Sequence, residues 1–409
     1  MSHPVAPAPG PLAPVQPALL VRRRRSALTV VTMSTLGLGA LAIAVLVLLT
    51  GGPVAGVVTT LLAAVSFPLL ILLCFWLDRY EPEPARYRVA ALGWGAVAAV
   101  ALGGGLTALL AATTGSPEGV VIAVWAPVTE EFGKGLFLLL LLLRHRSQLH
   151  GLLDGIIYGV LVGVGFAFTE DIFYYLSALQ EGGAEGLGVT FFLRGVISPF
   201  AHPLFTAATG VGMGIAAVAR PGPLRVAAPL VGYLVAVLLH AIWNGSSVYA
   251  GTGGFFLVYA VLMLPLLTGL VVLAVWARRR EGRVLSSALL DCAQMGWLPA
   301  EDVRWVATLG DRLRARTYAR QVGGGTASRV LAEYQQALTE MAFLHHRVLQ
   351  GTASPDYPER MLAIRARVVG LRPYVILPPS TATRAVSYPP GFPPPPGLPA
   401  GPPQYSPIP

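Results

Sequence analysis

The chain has 409 residues, of which 54% are hydrophobic and only 12% charged, with a net charge of +9. So little polar surface excludes a soluble globular protein and points to a polytopic membrane protein. The positive charge lies in short arginine clusters between apolar segments, which is a topology signal, so no nucleic acid is expected as a partner.

The first twenty residues are rich in proline, and 1–26 are expected to be disordered up to the basic run Arg22 to Arg25. Eight apolar windows of bilayer-spanning length follow: Ala27 to Leu49, Val54 to Leu77, Val89 to Ala112, Val120 to Leu143, Leu152 to Leu176, Phe191 to Val218, Ala227 to Val248 and Phe255 to Ala277. They predict an all-α fold, a core of about eight transmembrane helices over 27–280 in contact with the lipid bilayer. The first window is long for a signal-peptide core and lacks a clear small-residue cleavage site, so it reads as a retained anchor. Arginines between windows two and three, four and five, and six and seven, and at both tails, put those loops and both termini in the cytoplasm. The opposite loops offer only Arg194.

Past Arg283, AEDVRWVATLGDRLRARTYAR, ASRVLAEYQQALTEMAFLHHRVL and ERMLAIRARVVGL carry apolar residues at three- and four-residue spacing, as amphipathic helices do. Residues 281–375 are therefore expected to form a small cytoplasmic helical domain, a place for a cytoplasmic partner. The tail, 376–409, is proline-rich and expected to be disordered. Cys74 and Cys292 supply neither a disulfide framework nor a CxxC metal site. Abundant Ala, Gly, Pro and Arg beside a single lysine fits a GC-rich bacterial genome and hence a bacterial cytoplasmic membrane.

The fourth window holds Glu130, Glu131 and Lys134, the only lysine in the chain. An ionisable group near a bilayer centre costs about 3 kcal/mol on insertion scales, and such groups are usually paired or functional. Helical spacing lets Lys134 reach either carboxylate, and pairing with one leaves the other to bind a proton, a metal or another partner. In the fifth window Gly155, Gly159 and Gly163 recur every four residues, with Phe166 and Glu170 continuing along the same side. Such spacing permits close helix packing and would set Glu170 against a neighbour. Asp154 at the inner end reads equally as a helix cap, and Asp171 as a group that reaches water. The sixth window brings His202 between Pro199 and Pro203, then Thr206, Gly210 and Gly214; the seventh ends with His240 and Asn244 four apart. Counting helical rise from the window ends puts Glu130 and His202 near mid-membrane, and His240, Glu170 and Asn244 nearer the outer face.

Peptide hydrolysis needs a base to activate water, donors for the oxyanion and an acid for the leaving amine, and carboxylates, histidines and an amide supply all three. HExxH and GxSxG are both absent from the sequence. Two histidines with one or two glutamates could still ligate Zn2+, while a metal-free glutamate mechanism suits the same residues.

Taken in order, APVTEEFGK (Ala126 to Lys134), LDGIIYGVLVGVGFAFTED (Leu153 to Asp171), AHPLFTAATG (Ala201 to Gly210) and LLHAIWN (Leu238 to Asn244) resemble the PrsW family of intramembrane proteases. The loop WLDRYEPEP, Trp76 to Pro84, also resembles that family, and the likeness covers roughly residues 70 to 250. The resemblance implies a hydrolase related to the CAAX prenyl endopeptidases, with Glu130, Glu131, Lys134, Glu170, His202, His240 and Asn244 at the active site. It implies a single-pass membrane protein as substrate, for example an anti-sigma factor in stress signalling. If a metal is present, His202, His240 and Glu170 are its expected ligands. Glu170 stands where the wider group often has histidine, and Lys134 near where it often has arginine, so the metal scheme of the CAAX enzymes does not transfer directly. An ion-coupled transporter would use the same buried groups but calls for internal repeats, and none is seen in the sequence. A non-catalytic scaffold would leave the motif set without a role.

Overall fold

The computed structural model describes residues 27–379 except Glu81 and Pro355; the expected disordered ends, 1–26 and 380–409, lie outside the described residues. Among the described residues the chain is helical throughout, with no strand. Helix α1 (Ala27–Ser66) is broken at Gly52, whose φ of 76° suits a residue without Cβ, and Pro53 follows it. Then come α2 (Pro68–Leu77), α3 (Ala85–Thr114), α4 (Ala126–Arg144) and α5 (Leu152–Phe191), the last broken at Gly183 with φ 61°. The chain continues through α6 (Ala201–Val218), α7 (Leu224–Tyr249) and α8 (Gly251–Gln294).

Five helical stretches are long and apolar enough to cross a membrane: Met33–Leu77, Ala85–Thr114, Leu152–Val218, Leu224–Tyr249 and Gly251–Gln294. The first and third each contain a break, and α4 carries Glu130, Glu131 and Lys134 within its span and Arg144 at its end. Leucines and valines such as Leu69, Leu234 and Val261 stand exposed on these helices, a surface that suits lipid.

At the centre, α5 packs antiparallel on α6 through the predicted glycine face. Gly155 abuts the backbone of Gly210 and Gly214, and Gly159 that of Thr206 and Ala207. A Cβ on Gly163 would stand 2.6 Å from Pro203 Cα, so no larger residue fits without separating the helices. Gly212 and Gly232 bring α7 equally close to α6, while Gly165 does the same for α3 against α5. Helix α4 lies in the resulting cleft, with Gly103 of α3 giving room to Glu130.

Glu170 lies deeper than the window ending at Leu176 implies. Helix α5 runs past Leu176 to the break at Gly183, so Glu170 lies thirteen residues, about 20 Å, below that end. It is at the level of His202 rather than near the outer face.

Beyond the apolar core, α8 continues into a bundle with α9 (Ala300–Ala307), α10 (Leu309–Leu349) and α11 (Tyr357–Leu371). Leu285, Leu289, Val306, Leu331, Leu338 and Met341 form its core, as the amphipathic spacing predicts. Thr308 caps α10 by accepting the Asp311 N–H at 3.1 Å. Buried Asp302 accepts from the Tyr334 hydroxyl and Arg372 Nε on one oxygen, each at 2.6 Å, and from Arg372 at 3.1 Å on the other.

Candidate active site in the helical core

Helices α4, α5, α6 and α7 each direct ionisable side chains to one buried place. Lys134 Nζ donates to Glu131 Oε1 at 2.8 Å and contacts His202 Nδ1 at 3.0 Å. Because an ammonium group only donates, that contact makes Nδ1 of His202 the acceptor and Nε2 the protonated nitrogen, which meets Glu170 Oε2 at 2.6 Å. His240 Nδ1 faces Glu131 Oε1 at 3.1 Å, and the Thr206 hydroxyl donates to Glu131 Oε2 at 3.1 Å. Glu131 and Lys134 are fully buried, and His202 and His240 nearly so. Helical spacing alone accounts for the first pair, since residues three apart share a face; the glycine face of α5 accounts for the rest, by letting α6 approach closely enough for Glu170 to reach His202.

Aromatic rings complete the walls. Lys134 Nζ sits 3.7 Å from the centre of the Phe166 ring, and the Phe205 ring stacks on His240 at 5.0 Å. The two histidine rings meet edge to face at 4.9 Å.

Glu130 differs from its neighbour. Its Oε2 is buried without a hydrogen-bond partner, 3.6 Å from Lys134 Nζ and 3.8 Å from His240 Nε2. With its Nδ1 proton directed to Glu131, His240 presents the lone pair of Nε2 toward Glu130. Ligand atoms of Glu130, His202 and His240 all lie within 4.8 Å of one another. Two imidazoles and a carboxylate with an orphaned oxygen are the donor types a divalent metal takes, and binding one here would require Lys134 to release Nδ1 of His202. Glu170 is expected beside the two histidines as a metal ligand. Glu170 instead receives the Nε2 proton of His202 and the guanidinium of Arg194.

Arg194 is the residue that sequence reasoning missed. Charge counting places it only in the outer loops, yet it lies in the helical segment Phe192–Ile197 and binds Glu170 and, through Nε at 2.6 Å, Asp171 Oδ1. Asp171, expected to reach water, is buried against it. The available signal was an arginine inside an apolar window, which the cost of intramembrane charge marks as paired.

Asn244 is not drawn into this network. Its Nδ2 donates to the Ile122 carbonyl at 3.0 Å. It lines, with His202, Arg194, Asp171, Tyr174, Trp243 and Phe255, a cavity of about 230 Å³. An amide nitrogen carries two protons, so one remains for a group in that cavity.

No curated protein and no solved structure matches the chain. Residues 83–270 match the model of the PrsW family intramembrane metalloproteases, a span that contains every side chain of the network described above. Residues 83–270 of this chain are thus a PrsW family intramembrane protease domain, and the protein is a membrane-embedded hydrolase.

Proposed function

We propose that the chain is an endopeptidase that cuts a single-pass membrane protein, and that Glu130 is the general base. The observation that carries this reading is the contrast inside the EExxK element: Glu131 is saturated by Lys134, His240 and Thr206, whereas Glu130 keeps a buried oxygen with no hydrogen bond. Water held between Glu130 and His240 loses a proton to Glu130, and its oxygen attacks the scissile carbonyl carbon. The remaining N–H of Asn244 donates to the oxyanion, and Glu130 returns the proton to the leaving nitrogen. Lys134 balances the charge of Glu131 and, by donating to His202, fixes which nitrogen of that ring carries its proton. Arg194 holds Glu170, which in turn orients His202. A metal held by Glu130, His202 and His240 would polarise the carbonyl and make the water more acidic.

The apolar wall of the cavity beside His202 suits an unwound segment of a substrate helix, and an anti-sigma factor of stress signalling is one such substrate. In this reading the eight apolar windows all cross a bacterial cytoplasmic membrane with both ends inside, the protease core spans 27–280, and 281–375 form a cytoplasmic domain that receives a partner. Purified protein should cleave members of a panel of single-pass membrane substrates, and elemental analysis of the same preparation should decide between zinc and a metal-free reaction. Wild-type turnover in a folded Glu130→Gln enzyme would sink the assignment; solute or proton flux in liposomes without cleavage would favour a transporter.

A further inference from the structure

The loop WLDRYEPEP has no part in the reaction above, yet it is folded tightly against the start of α5. Asp78 accepts the backbone N–H of Glu83 on both oxygens, at 3.2 and 3.0 Å, and Arg88 at 3.3 Å. This turn delivers the buried Glu83 carboxylate to His150 and Asp154. Glu83 Oε2 accepts the Tyr158 hydroxyl at 2.7 Å, which orients Oε1 toward His150 Nδ1, 3.9 Å away. His150 Nδ1 is 3.6 Å from Asp154 Oδ2, and that oxygen also accepts the His150 backbone N–H at 2.5 Å.

We propose that Glu83, His150 and Asp154 form a second metal site, separate from the catalytic core, that takes a divalent transition-metal ion such as zinc. Three ligand atoms from these residues lie within 4.8 Å of one another. Zinc bound at about 2.0–2.1 Å sets its tetrahedral ligands roughly 3.3 Å apart, so separations of 3.6 and 3.9 Å need only a small contraction. One imidazole with two carboxylates is a donor set for zinc and its first-row neighbours rather than for calcium or magnesium. The outer shell is already in place: Tyr158 holds one carboxylate and the His150 N–H the other. A fourth position would face the cavity of about 660 Å³ that His150 and Glu83 line together with Arg312, Thr339 and Arg347 of α10. A metal here would fasten the loop to the base of α5 and stiffen the seam between the apolar core and the C-terminal helices.

The test uses the full-length chain in detergent, stripped by chelation and then titrated with zinc alone. Carbethoxylation of His150 by diethyl pyrocarbonate, read by peptide mass, reports this site separately from His202 and His240. Zinc should protect His150 several-fold in the wild type, and the protection should vanish in Glu83→Gln and Asp154→Asn. Equal reactivity of wild-type His150 with and without saturating zinc would overturn the site, whatever the variants do. So would unchanged protection in either variant.

Discussion

Two regions of the molecule bury charge, and they do so differently. In the C-terminal bundle Asp302 has every oxygen occupied, by Tyr334 and Arg372, and its neighbourhood is closed. In the apolar core Glu131 is treated in the same way, but Glu130 one residue earlier keeps an oxygen facing Lys134 and His240 with no hydrogen bond. Buried polar groups are normally satisfied, and leaving one unpaired costs about 1–3 kcal/mol. The proposed mechanism rests on that contrast, with Asp302 in the architecture and Glu130 in the chemistry.

The sharpest way to break that contrast is by substitution within the EExxK element. Glu130→Gln should reduce cleavage by about 10²–10⁴-fold, the usual contribution of a general base, while melting close to wild type. Lys134→Met removes one partner of a buried pair and should destabilise the protein by about 3–5 kcal/mol in thermal or denaturant unfolding, with activity lost as a consequence. Gly163→Val tests the close approach of α5 and α6: overpacking against Pro203 should cost about 1–3 kcal/mol and draw Glu170 away from His202, read as lower activity at permissive temperature. Arg194→Gln leaves Glu170 and Asp171 without their guanidinium and should lower turnover by up to about 10²-fold through misplacement of His202.

The smallest effect belongs to the C-terminal bundle. His345 is buried against Trp297 at 5.3 Å between ring centres, and burial holds its pKa below the ordinary 6.5. Below that pH the unfolded chain binds a proton that the folded bundle resists, so stability should be full above about 6.5 and decline as pH falls. His345→Gln should flatten this acid limb of the melting curve without affecting the pH profile of cleavage.

Helices, glycine faces and the EExxK spacing were legible in the sequence because each depends on a local period of three or four residues. The convergence of Glu131, His202 and His240 was expected only as a set of residue types at similar depth. What stayed hidden was set by breaks in the chain. Gly183 interrupts α5 and lets the segment with Arg194 return along it, so an arginine assigned to a loop becomes the partner of Glu170. Extension of α5 past Leu176 lowered Glu170 to the level of His202. Asn244 shows a different limit: its position on the face of His240 is readable, but its bond to the Ile122 carbonyl depends on the packing of α7 on the helical segment Val121–Trp125 that leads into α4.

The most direct test of the account is single-turnover cleavage of an authentic membrane substrate by the wild type, Glu130→Gln and Glu131→Gln in the same liposomes, with melting measured in parallel. The account predicts that Glu130→Gln is folded and inactive, whereas Glu131→Gln loses stability as well as rate. A folded Glu130→Gln protein that cleaves at the wild-type rate would contradict it.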